Sequence, residues 1–134
     1  MAYQFRKHYT VNEARALLPQ VRLWLKELGH LRQRLLQYDQ RLGELLNAGI
    51  DAGGETVNNW VKALCGVKKL LREFQTREIQ IKDLDRGLID FPALIAGQEA
   101  FLCWEQDEED IEFWHDLESG YAGRERLLPG ASDE

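Results

Sequence analysis

Apolar residues recur at gaps alternating four and three without a break along Leu17, Val21, Trp24, Leu28, Leu31, Leu35, Tyr38, Leu42 and Leu45. A 3.5-residue period held over this length predicts an α-helix with one apolar seam. TVNE at Thr10–Glu13 marks its start. In a capping box of this kind the Thr10 hydroxyl bonds the Glu13 amide while the Glu13 carboxylate reaches back. Pro19 removes one backbone donor early in the helix and predicts either a kink or the first turn of a second helical segment. From Val11 to about Asn47 the helix would be roughly 55 Å long at 1.5 Å per residue.

NAGIDAGG at Asn47–Gly54 has no period and breaks the helix. A second seam follows along Val57, Trp60, Leu64, Val67, Leu71, Phe74, Glu78 and Ile81. Folded back antiparallel, the two seams meet in layers: Leu45 with Val57, Leu42 with Trp60, Leu31 with Leu71. Residues 11–82 therefore read as a helical hairpin, with Gly66 marking a close approach at a cost of about 1 kcal/mol against alanine. Leu18, Leu25, Leu36 and Leu46 form a second stripe that the hairpin leaves bare. These four are the expected interface, covered by the C-terminal segment or by a second copy in a four-helix arrangement, and a homodimer is the expected state.

After Lys82 the pattern shortens. Gly87–Leu94, Gln98–Glu105 and Ile111–Asp116 are rich in β-prone and aromatic residues, and QDEED between the last two reads as a hairpin loop. With the turn centred near Glu108, Cys103 faces Phe113, Leu102 faces Trp114 and Phe101 faces His115. Both faces are largely apolar, so both want cover. Pro92 suits an edge or a bend better than a central strand. The fold class is α+β, a long antiparallel helical hairpin packed with a small antiparallel β-sheet. At 134 residues the chain reads as a single domain, with a small β unit over 83–127 and a flexible tail over 128–134.

The segments DLDRGLIDFPA at Asp83–Ala93, GQEAFLCWEQDEEDIEFWHD at Gly97–Asp116 and GYAGRERL at Gly120–Leu127 resemble the motifs of the bacterial and archaeal family named domain of unknown function 2203. HYTVNEARALLP at His8–Pro19 is similar to that family's opening segment. The resemblance implies a cytoplasmic prokaryotic protein and brings no activity with it.

Lys82–Asp116 holds eleven acidic residues, a histidine, a cysteine and two tryptophans. A metal or hydrolytic site needs two to four converging carboxylate or imidazole groups, and Asp85, Asp90, Glu99 and His115 are the candidates. Glu99 is expected beside His115, and Asp90 next to both if Gly87–Leu94 is the neighbouring strand. This makes Asp90, Glu99 and His115 the candidate metal set. With Arg124 as an anion contact, the same three are the candidate ligand site. No HExxH, HxH or CxxC spacing accompanies them. The competing reading makes His115 a hydrogen-bonded sheet histidine and Asp90 a turn residue.

The net charge of −6 conceals a division: residues 1–82 carry 14 Lys+Arg against 8 Asp+Glu, and residues 83–134 carry 3 against 15. Such halves attract each other within a chain or between copies, and the acidic balance argues against nucleic acid as a partner. Trp104 and Trp114 read as core or interface anchors. No apolar run approaches membrane length, and the N-terminus lacks the apolar core of a secretory leader. Cys65 and Cys103 read as two buried, reduced thiols of a cytoplasmic protein. The leading functional expectation is a self-associating structural or interaction protein. The alternative is a metal- or acid/base-dependent enzyme centred on the acidic β unit. No cofactor is required, a divalent metal being the only candidate.

Overall fold

The computed structural model describes residues 2–49 and 54–128. Helix α1 spans Val11–Asn47 and helix α2 spans Gly54–Thr76; five strands follow. They are β1 (Gln80–Asp83), β2 (Leu88–Ile95), β3 (Gln98–Glu105), β4 (Phe113–Asp116) and β5 (Glu125–Arg126). The strands pair antiparallel in chain order, a simple meander. Two helices packed on each other and a five-stranded antiparallel sheet make this an α+β protein.

The chain forms two compact units. One gathers the N-terminal residues up to Arg22 with Phe74 onward; the other is Leu23–Glu73.

In the first unit the capping box is made as expected. The Glu13 amide donates to Thr10 Oγ1 at 3.1 Å, and the Thr10 amide donates to Glu13 Oε1 at 3.0 Å. The helix passes through Pro19 as one α-helix, so no second segment begins there. Its opening turns lie on one face of the sheet. Tyr9 meets Phe91 edge-on, Arg22 covers the Trp104 ring, and Arg15 bonds Asp110. Ala14, Leu18 and Val21 are buried there with Ile89, Phe91, Leu102 and Trp104.

The second unit is the hairpin, and two contacts across it are defined. Leu31 lies against Gly66: a Cβ added to Gly66 would sit 3.0 Å from Leu31 Cδ1. The Trp60 indole donates to Asp39 Oδ1 at 2.9 Å, about one turn from Leu42. Ala63 and Leu70 are buried in this unit. The close approach expected at Gly66 is present.

Two sequence expectations are corrected, the end of helix α2 and the burial of Cys65. Helix α2 stops at Thr76 and not at 82. The Ile79 amide bonds the Phe74 carbonyl, the Glu78 amide bonds the Gln75 carbonyl, and Glu78 takes φ 59, which together make a Schellman stop without glycine. Glu78 and Ile81 therefore leave the seam, and Ile81 joins β1. Of the second stripe, Leu18 and Leu25 are buried within the single chain, which fits the first of the two expected kinds of cover, whereas Leu36 and Leu46 are 68% and 67% exposed. Cys65 is exposed; only Cys103 is buried. The expected breaker lies partly at 50–53, and the expected flexible tail almost wholly at 129–134, both outside the described residues.

Pro92 sits within β2, yet β1 pairs only as far as Asp90, so the strand is locally an edge at that point. The Pro92 carbonyl accepts the Tyr9 amide at 2.7 Å. The β2–β3 turn is two residues, Ala96 (φ 52) and Gly97 (φ 79), the left-handed pair of a tight hairpin. Alanine is strained at such a φ, by roughly 1 kcal/mol. Ala96→Gly is expected to raise stability by up to about 1 kcal/mol, read as a higher urea midpoint at unchanged slope. An unchanged or lower midpoint would show that the turn holds no such strain.

Candidate functional site

Side chains alternate across a strand, so register decides which ones share a face. In β2–β3, Asp90 pairs with Cys103; in β3–β4, Phe101 pairs with His115 and Cys103 with Phe113. The β3–β4 register is the one expected from the acidic loop. Asp90, Cys103 and His115 thus come to the face turned away from helix α1, on three adjacent strands.

All three are buried: Asp90 is 1%, Cys103 0% and His115 2% exposed. One ligating atom from each, an Asp90 oxygen, Cys103 Sγ and a His115 ring nitrogen, lie within 4.8 Å of one another. His115 Nδ1 donates to the Asp116 carbonyl at 2.7 Å, and Nε2 lies 2.9 Å from Asp90 Oδ2. A carbonyl can only accept, so the proton on Nδ1 is assigned by chemistry. Burial alone would lower the imidazole's affinity for a proton. The bonds to Asp90 and to the Asp116 carbonyl outweigh it and raise His115 above the usual 6.5. Burial, reinforced by the nearby Asp90 and opposed by Arg124, pushes the Cys103 thiol up to about 12. Cys103 is therefore no thiolate nucleophile at neutral pH, and the ring nitrogen that could activate it faces Asp90.

Asp90 Oδ2 is satisfied by His115, whereas Asp90 Oδ1 is buried with no donor stronger than the neighbouring Cys103 thiol. Leaving a buried carboxylate oxygen unpaired costs about 1–3 kcal/mol, so this atom calls for an explanation. It belongs to a residue lining a cavity of about 300 Å³. Leu88, Phe101 and Leu117 form apolar walls, and Lys82, Glu118 and Tyr121 the rim. The strands' outer face wanted cover, and the segment after β4 supplies only part of it.

The remaining candidates fall elsewhere. Glu99 lies four residues along β3 from Cys103, about 13 Å at the rise of a strand. Its carboxylate holds the N-terminus instead. The Gln4 and Phe5 amides donate to it at 2.7 and 2.9 Å, and His8 Nε2 lies 2.9 Å away. Asp85 is exposed in the β1–β2 turn. Arg124 is a buttress beside the site. It bonds Glu108 Oε1 at 2.9 Å and lies over the Phe113 and Tyr121 rings, without lining the cavity. Cys103 is the member that sequence reasoning left out of the set. The two-residue turn at Ala96–Gly97 places Asp90 opposite Cys103, and only its Gly97 marks that turn in the sequence.

These features define an α+β protein with a buried Asp–Cys–His cluster under a surface cavity. Residues 7–127 match the family described as Uncharacterized conserved protein (DUF2203), and the chain belongs to that family. No curated protein and no solved structure matches the chain. Among the described residues, no helix is long and apolar enough to cross a membrane.

Proposed function

We propose that this chain is a small-ligand protein whose working centre is the cavity over Asp90 and His115, an acid/base site rather than a scaffold alone. The observation that carries the reading is Asp90 Oδ1, buried on a residue that lines the cavity with no donor stronger than the neighbouring Cys103 thiol. His115 locks the other oxygen, which leaves Oδ1 to accept from an N–H or O–H of the ligand. A cavity of about 300 Å³ suits a small molecule, at the lower end of ordinary ligand pockets. Native mass spectrometry of wild type and Asp90→Asn, both purified without chelator, tests this. A small-molecule adduct on wild type that Asp90→Asn releases is expected. Identical adduct-free spectra would reject the reading.

A second reading, self-association, is favoured by a specific observation. Leu36, Leu46, Val57 and Val61 are exposed on the helices of the second unit. With Leu18 and Leu25 buried, Leu36 and Leu46 are what remains of the stripe for a homodimer. The same spectra report subunit number, and Leu36→Glu should shift a dimer to monomer. The two free cysteines suit a reducing, cytoplasmic setting.

A further inference from the structure

We infer that Asp90, Cys103 and His115 bind one borderline-soft divalent cation of the zinc type, with an open coordination position facing the cavity. The inference rests on the reading of that cavity as the working centre and names the cofactor it would hold.

The first argument is the ligand set. An oxygen, a sulfur and an imidazole nitrogen together exclude calcium and magnesium, which take oxygen, and select zinc, ferrous iron or cobalt. The second is distance. Around a tetrahedral ion at the usual zinc bond lengths, ligand atoms stand about 3.4–3.8 Å apart. His115 Nε2 and Asp90 Oδ2 are 2.9 Å apart, and the whole set spans no more than 4.8 Å. Small side-chain rotations therefore suffice. The third is orientation. A histidine that ligates through one nitrogen commonly gives its other N–H to a carbonyl or carboxylate, which fixes tautomer and ring plane. The bond from His115 Nδ1 to the Asp116 carbonyl does this and turns Nε2 toward Asp90 and the cluster. The fourth is the buried Asp90 carboxylate, whose Oδ1 has no strong donor: a cation would satisfy it, and the small molecule would then take the open coordination position in place of a bond to Oδ1.

Charge balances as well. The cation displaces the Cys103 proton and the one held between His115 and Asp90, so a thiolate and a carboxylate neutralise it. Three protein ligands leave one position open, as in catalytic rather than structural zinc sites, and that position faces the cavity where a small molecule would sit. Glu99 takes no part, because its carboxylate holds the N-terminal amides.

Cobalt(II) titration of chelator-treated protein tests the site, cobalt alone being the probe. Wild type should take up one equivalent and show a thiolate-to-cobalt charge-transfer band in the near ultraviolet. Glu99→Gln should keep the band. Cys65→Ser should keep it too, and that variant leaves Cys103 as the sole thiol, so the assignment needs no change in the buried core. Cys103→Ser should lose the band, and His115→Gln should bind cobalt about 100-fold more weakly or worse. No uptake by folded wild type, or a band lost in Cys65→Ser, would overturn the inference. A small-molecule adduct that survives chelation beside a failed cobalt titration would remove the metal and leave the cavity reading standing. Cobalt uptake without any adduct would keep the metal and remove the ligand reading.

Discussion

Asp90→Ala is expected to cost the metal-free protein about 3–5 kcal/mol, the loss typical of a buried charge pair stripped of one member. The substitution leaves His115, 2% exposed, facing a void where its carboxylate partner stood 2.9 Å away. An imidazole held above its usual 6.5 by that partner must then either stay charged without it or give up its proton. Both routes cost stability, and the vacated volume adds a cavity term. Replacing both members by apolar residues of similar size, Asp90→Leu with His115→Phe, removes the uncompensated group. The double variant should therefore lose less than Asp90→Ala alone. Urea unfolding followed by tryptophan fluorescence measures both. A double variant that loses as much as Asp90→Ala or more would show that the unpaired His115 is not the source of the cost.

Much of the architecture follows from local chemistry. The Thr10–Glu13 capping box sets where helix α1 starts, and the acidic loop around Glu108 places Phe101 opposite His115. The end of helix α2 was illegible because the residue in the left-handed stop is Glu78, where a sequence reader looks for glycine. Its side chain explains the choice. Glu78 Oε1 accepts the Arg6 and Lys7 amides at 2.8 and 2.9 Å, a tertiary benefit that offsets a local cost. The division of the second apolar stripe was illegible for a related reason. Period alone cannot tell a leucine that the sheet will cover, such as Leu18, from one left in solvent, such as Leu36.

For the site, two of the three expected metal ligands converge and the third does not. Glu99 was placed beside His115 because it shares its face and stands two residues from Phe101. What sequence reasoning lacked was the β2–β3 register. Ala96 is an unusual residue for a left-handed turn, so the hairpin went unread, and with it the pairing of Asp90 with Cys103. A glutamate binding backbone amides 94 and 95 residues away leaves no local pattern at all.

That glutamate supplies the other large effect. Glu99→Ala should cost about 2 kcal/mol and free the first residues of the chain, because two amide bonds to a charged acceptor and the His8 contact go together. Burial would raise the Glu99 carboxyl, but the Gln4 amide, His8 and the Phe5 amide more than offset it and hold it below the usual 4.5. The sign follows from linkage. A carboxylate with a lowered folded value contributes its full stability above the unfolded value and loses it as pH falls through the folded one. Gln4 and Phe5 should therefore stay protected from hydrogen exchange at pH 5 and above, about the unfolded glutamate value, and open progressively below it. Arg6 and Lys7, held by Glu78, report the neighbouring contact separately. In Glu99→Ala the Gln4 and Phe5 amides should exchange freely at every pH, while Arg6 and Lys7 keep part of their protection. Protection of Gln4 and Phe5 that persists in the variant would mean that the segment is held elsewhere, and Glu99 would return to the list of residues without a role.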